Sequence, residues 1–273
     1  MSKKNLKIVS KKRLFSKLQG EHTSPFSGSG LEFLELREYS IFDNAKHINH
    51  KRSATSNTPL VNIYSEQREL NIVVVYLVSG SLEYKTKKEI ARDITTTLSY
   101  SATKFKERLN LLFFSKKEEL FFESIKHNIS FDLSFESASS IEHFGKEINY
   151  NRLISFLNNH FKEKSLIFLI GDFLDSNINL APLSFKHELY AILVRDKSEE
   201  ELKALGEKEL KDPITLKVKR LFISKSTANS YNKALQKQDK KLFENFNKYN
   251  IKYTKIYNQN TILKQLKRLL DAR

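Results

Sequence analysis

The sequence predicts an α/β fold: a mostly parallel sheet with helices on both faces. Three observations carry that expectation. The stretch Leu70–Val78 is an unbroken, largely β-branched apolar run, as a strand buried on both faces requires. Three more short apolar runs follow it, at Leu109–Ser115, Leu166–Gly171 and Leu189–Val194. Between these runs lie longer stretches with apolar residues at spacings of three and four. Strands alternating with helices of this length close into a parallel sheet through right-handed crossovers.

Taken in order, residues 1–19 read as a short basic arm, and Gly20–Gly30 as a loop holding three of the chain's seven glycines. Leu31–Tyr39 alternates apolar and polar residues and reads as a half-exposed strand. Ser40–Ala54 is polar and irregular, and Val61–Glu66 is a second short strand. After Leu70–Val78, a helix is expected over Lys85–Arg108, with Ile90, Ile94, Leu98 and Ala102 on its inner face. Glu119–Glu123 is a short partner strand and Ile148–Phe161 a helix. Ile214–Ile223 reads as a strand pair or a bent strand, and Tyr231–Tyr249 as a helix. Ile251–Ile256 is a last short strand and Thr261–Leu270 a closing helix.

The 273-residue chain has no cysteine, which excludes disulfides, thiolate metal sites and a thiol nucleophile. No apolar run reaches the roughly 18 residues that span a bilayer. The N-terminus is basic but lacks the apolar core of a secretory leader. A soluble cytoplasmic protein is the expectation. The net charge is +15, of which the stretch from Lys217 to the C-terminus carries +12. A basic region of this kind fits an acidic partner such as nucleic acid or an anionic surface. Between Tyr231 and Tyr249 the residues Lys233, Lys237, Lys240, Lys241 and Lys248 alternate with aromatics, a composition compatible with phosphate contacts and base stacking.

The usual catalytic motifs are missing. Neither GxxxxGK followed by Ser or Thr nor GxGxxG occurs, which disfavours common nucleotide sites. Ser79-Gly80-Ser81 closes the first core strand, where an open α/β sheet places its ligand crevice. It is not a nucleophile elbow, since GxSxG is absent. His47 and His50 are three apart without a third ligand nearby.

Two sets of residues carry a family resemblance. The stretch from Gly28 to His50 includes Gly28-Ser-Gly30, Glu32-Phe33, Glu35, Arg37-Glu38-Tyr39 and Asp43. It resembles the signature of the family catalogued as domain of unknown function 58, bacterial proteins with a von Willebrand factor A-like domain. The second half of the signature is eroded, with Phe42, Asn44, Lys46, Asn49 and His50 in place of its usual residues. Gly171-Asp172-Phe173, Arg195-Asp196 and Asp212-Pro213 are also similar.

The resemblance implies an α/β domain over 69–273, an N-terminal β-containing extension over 20–68 and a basic arm over 1–19. In von Willebrand factor A domains the first core strand ends in Asp-x-Ser-x-Ser, and these side chains bind magnesium with a Thr and a second Asp. Ser79, Ser81 and Asp172 fit three of the positions, and Ser137–Ser140 offers hydroxyls for the Thr. Leu77 replaces the leading Asp, so a degenerate site is expected, with no cofactor and with magnesium disfavoured. The resemblance further implies a non-catalytic adaptor that works with a MoxR-type AAA+ ATPase in the assembly or maturation of other proteins. Nucleic-acid or anionic-surface binding through the basic C-terminal region is the alternative. Independently of the family, Glu35, Arg37, Glu38, Asp43 and Lys46 form a mixed-charge cluster. An ion-pair network is expected there, with Arg37 as its hub.

Overall fold

The computed structural model describes residues 31–56, 58–66, 71–104, 107–126, 128–175 and 178–271. The basic arm and the glycine-rich loop expected over 1–30 lie outside these residues. The described chain falls into two compact units, 31–66 and 71–271.

In the smaller unit, β1 (Leu31–Glu38) pairs antiparallel with β2 (Leu60–Glu66), with a bulge between Phe33 and Glu35. The connection was expected to be irregular. It holds a 3-10 turn at Ala45–His47, capped by the Asn44 side chain, and a helix α1 (His50–Ser56). The Asn49 carboxamide accepts from the Arg52 backbone N–H at 3.1 Å, which starts that helix.

In the larger unit, β3 (Asn71–Leu77), β4 (Arg108–Phe114), β5 (Glu118–Ile125), β6 (Leu166–Gly171), β7 (Glu188–Val194) and β10 (Lys252–Ile256) form one sheet in the order β10-β7-β6-β3-β4-β5. All pairings are parallel except β4–β5. The chain runs outward from β3 through β4 and β5, then returns to the other side of β3 for β6, β7 and β10. The order therefore reverses between β3 and β6, and their carboxyl ends flank the crevice of a doubly wound sheet. This is the mostly parallel, helix-flanked α/β fold, with its N-terminal strand extension, that the von Willebrand factor A resemblance implies.

Ile72 to Val78 are all buried, so the opening apolar run is indeed covered on both sides. Val73, Val75 and Leu77 face a core that includes α4 (Tyr150–His160) and α7 (Lys225–Lys248). Helix α2 (Lys87–Lys104) lies along β3 and β4 and buries Ile90, Ile94 and Leu98. Full burial of one such aliphatic side chain contributes about 2 kcal/mol.

Several elements differ from expectation. Helix α3 (Asn128–Ala138) forms in a Ser/Phe stretch with no clear helical period. Within Ile214–Ile223 only β9 (Val218–Ile223) is a strand, and its partner is β8 (Gly206–Lys211), whose Glu-Lys-Glu alternation gives no β signal. Helix α7 begins six residues before Tyr231, because the Ser224 hydroxyl caps it by accepting from the Thr227 N–H at 3.1 Å. Two short helices, α5 (Ala181–Ser184) and α6 (Lys197–Glu200), flank β7, and α8 (Ile262–Asp271) closes the chain. Among the described residues no helix is long and apolar enough to cross a membrane.

Candidate functional site

The crevice at the carboxyl ends of β3, β6 and β7 is built by the loops that leave them. After β3, Val78 and Ser79 lead into a 3-10 turn at Gly80–Glu83. The hydroxyls of Ser79 and Ser81 bond each other at 2.7 Å. The Gly80 N–H donates to the Lys146 carbonyl, and the Gly145 N–H donates to the Pro213 carbonyl, each at 2.9 Å. A Cβ on Gly80 would lie 2.2 Å from that same Pro213 oxygen. The turn joining β8 to β9 is thus seated directly on the serine loop. Its shape is set by Asp212, whose Oδ1 accepts from the N–H groups of Ile214 and Thr215. Those two N–H groups also hold the Asp212 carboxyl below its usual pKa.

Asp172 follows β6 directly and is buried. The next residue, Phe173, is a buried non-glycine in the left-handed region, at φ 52°. Its carbonyl accepts from Nη2 of the fully buried Arg195 at 3.2 Å, which helps hold the strained turn. Asp175 reaches the rim. Loss of solvent, followed by the charges of Asp172 and Glu147, pushes its carboxyl up to about 6.

The third loop follows β7. Asp196 and Glu199 form a reciprocal capping box on α6, in which Glu199 Oε2 accepts from the Asp196 N–H at 3.2 Å. The other oxygen of Glu199 accepts from Lys87 Nζ at 2.7 Å. Lys87 is the first residue of α2 and is only 1% exposed. Its ammonium also lies 3.5 Å from Asp172 Oδ2. Beside it, Lys85 pairs with Asp196 at 2.9 Å. Groups from the loops after β3, β6 and β7 therefore converge on one buried ammonium. Neither Lys87 nor Glu199 stood out in the sequence. The one available signal was Asp196-x-x-Glu199 before a helix start, and it points to a cap rather than to a lysine.

A magnesium ion suits a cluster of hard oxygen ligands with carboxylates among them. The residues present are a poor fit. Leu77 offers no lone pair, and its side chain packs in the core and against Gly171, leaving no room there for a Cβ. The Ser79 and Ser81 hydroxyls spend a hydrogen bond on each other, and Asp172 already faces a cation. The Ser137, Ser139 and Ser140 hydroxyls donate to carbonyls of their own helix end. Among the described residues, no group of three or more His, Asp or Glu side chains is placed to hold a metal.

In the signature cluster, one ion pair is described. Arg37 Nη2 binds Asp43 Oδ1 at 2.6 Å, and Asp43 Oδ2 accepts from the Ser40 N–H at 2.7 Å. Glu35, Glu38 and Lys46 are exposed, and Arg37 engages one carboxylate among the described residues. On α7, Lys233, Lys237, Lys240, Lys241 and Lys248 all face outward. Tyr231 is 43% exposed and Lys248 Nζ lies 5.2 Å from the centre of the Tyr249 ring, but the two phenylalanines between the lysines turn inward. Phe246 is fully buried, and Phe243 stacks on Tyr253 at 4.6 Å.

No curated protein sequence matches this chain. Among solved structures it is similar to BatB from Bacteroides thetaiotaomicron, with 12% identity, a TM-score of 0.45, and coverage of 74% of this chain and 97% of that one. An aerotolerance-related membrane protein from Bacteroides fragilis gives 12% identity and a TM-score of 0.42, covering 74% and 98%. A von Willebrand factor type A protein from Catenulispora acidiphila gives 10% and 0.42, covering 77% and 43%. The family model described as protein of unknown function DUF58 matches residues 35–241. That span runs from the Arg37–Asp43 clasp, through every loop of the crevice, to the lysine face of α7, and by it this chain belongs to the DUF58 family.

Proposed function

We infer that the protein is a non-catalytic interaction module that works with a MoxR-type AAA+ ATPase in the assembly or maturation of other proteins. The observation that carries this reading is the β8–β9 hairpin. It pairs only with itself, both its outer edges are free among the described residues, and it exposes Leu210, Val218, Leu221 and Phe222, the last by 70%. A two-stranded hairpin has little stability alone, and exposed apolar edges tend to recruit another chain. Apolar side chains gathered on one projecting element are the usual mark of a protein contact. Its turn is seated on the crevice, which turns the carboxyl ends of the strands from an open pocket into a covered base for the arm. The family resemblance supplies the kind of partner.

The test is a binding titration of the protein against a MoxR-type ATPase from the same organism. Wild type is expected to bind. Phe222→Ser with Val218→Ser is expected to weaken binding roughly tenfold or more, the scale of an interface hot spot, with an unchanged melting temperature. A wild-type protein that does not bind would overturn the partner, and a double variant that binds equally well would overturn the hairpin as the contact.

Binding of nucleic acid through α7 keeps one supporting observation, the five outward lysines. With Phe243 and Phe246 turned inward it rests mainly on phosphate contacts, for which affinity must fall steeply with salt.

A further inference from the structure

We propose that Lys87 supplies, as a covalently attached cation, the positive charge that the crevice needs, so that this site is ordered without any metal ion. The assignment concerns the crevice alone and stands whether or not an ATPase is the partner.

The geometry leads to it in three steps. First, the ammonium is placed by the fold. Lys87 opens α2 immediately after the β3 loop, and its Nζ meets Asp172 from the β6 loop and Glu199 from the β7 loop. These are the three loops that line the switch point of the sheet. Second, the charge is out of water. Lys87 is 1% exposed and Asp172 is 6% exposed, and Ser79 beside the strand end is equally buried. Buried carboxylates are costly unless a cation compensates them, and here the compensation comes from within the chain. Third, the replacement is consistent across the site. At Leu77 a carboxylate would meet the apolar core instead of a metal, and the two serine hydroxyls close on each other at 2.7 Å. The capping box fixes Glu199 through one oxygen and aims the other at Nζ, so the anion is held in place for a lysine.

An ordinary buried ion pair and a stand-in cation differ in what happens when the lysine goes. The experiment has two arms. In the first, thermal melts in a chelator compare wild type, Lys87→Met and the triple variant Lys87→Met, Asp172→Asn, Glu199→Gln. Lys87→Met is expected to lower the melting temperature by roughly 10 °C, because two carboxylates lose their cation. The triple variant is expected to recover most of that loss. A triple variant no better than Lys87→Met would mean that the lysine acts through its stem, and would overturn the proposal. This arm holds even if Lys87→Met alone does not fold, since the triple variant is then read as recovery of the fold.

In the second arm, manganese binding is followed by electron paramagnetic resonance. Wild type is expected to take up no manganese and to melt at the same temperature with manganese as with chelator. Lys87→Ala, which vacates the position, is expected to bind manganese or to need it to fold, and Asp172→Asn added to it is expected to abolish that gain. Stoichiometric uptake by wild type, lost in Asp172→Asn, would overturn the proposal. So would a Lys87→Ala protein indifferent to manganese.

Discussion

Gly80 sits where the proposed arm meets the sheet, and its missing side chain is a requirement of that contact. The atom that a Cβ would strike is the Pro213 backbone oxygen, which cannot rotate away, and it already accepts from Gly145. Gly80→Ala is therefore expected to destabilise by about 1–3 kcal/mol, as overpacking does. Urea unfolding measures it, and a variant as stable as wild type would show that the turn is not seated there in solution. Ser79, Ser81 and Asp172 could be picked out in the sequence because they stand at the ends of apolar runs. Lys87 could not. In a chain with 47 Lys and Arg, one lysine at the start of a helix looks like any solvated one. Only packing reveals that it is buried and faces two carboxylates.

At the scale of elements, α7 is fastened to β7 by charge as well as by its apolar face. Asp239, on the inner side of the helix, binds Arg195 at 3.0 Å and Lys255 at 2.6 Å. Arg195 is wholly buried, and its Nε and Nη1 have no partner among the described residues. Asp239→Ala would leave a buried guanidinium bonded only to the Phe173 carbonyl. The expected cost is about 3–5 kcal/mol, read from denaturant midpoints. A loss below about 1 kcal/mol, the size of a surface pair, would refute the fastening. The sequence showed α7 as basic with interspersed aromatics, yet helical geometry turns Phe243 and Phe246 inward while Tyr231 stays 43% exposed. That is why the lysine face keeps fewer aromatics beside it than the sequence pattern suggested. Strand β8 and helix α3 escaped notice for a related reason: neither has the apolar periodicity of a buried element, and β8 is held by its pairing with β9 rather than by a core.

For the whole molecule, two buried histidines add to the loss of stability in acid. Burial, before any neighbouring charge, lowers the pKa of His143 and of His187 from 6.5 to about 4. Below pH 6.5 the unfolded chain takes up protons that the folded chain refuses until about pH 4. The stability they leave intact is therefore full above 6.5 and is lost as the pH falls through that window. Asp175 acts in the opposite sense, since its raised pKa costs stability as the pH climbs through about 6. With the two histidines and the lowered carboxyls of Glu119, Asp196 and Asp212 set against the one raised carboxyl at the rim, the melting temperature is expected to drop on acidification. Neither ring nitrogen of His187 has a partner among the described residues, so His187→Phe is expected to be no less stable at neutral pH and to flatten the acid drop. An unchanged pH profile in that variant would rule out His187 as a contributor.

What the sequence determined by itself was the sheet and its family. Short β-branched runs bury both faces whatever their neighbours, and helical periods between them leave parallel crossovers as the available connection. The glycine-to-tyrosine signature before Asp43 is likewise local, and it survives reading in one dimension. What only the tertiary structure decided was the character of the crevice. Lys87, Asp172 and Glu199 are separated by 85 and 112 residues in the pairs they form, and Pro213 comes from yet another loop. Charge compensation inside a protein depends on which groups share a dry space. No periodicity encodes that, so a pattern that read as a worn metal motif became, once folded, a carboxylate pair with a lysine of its own.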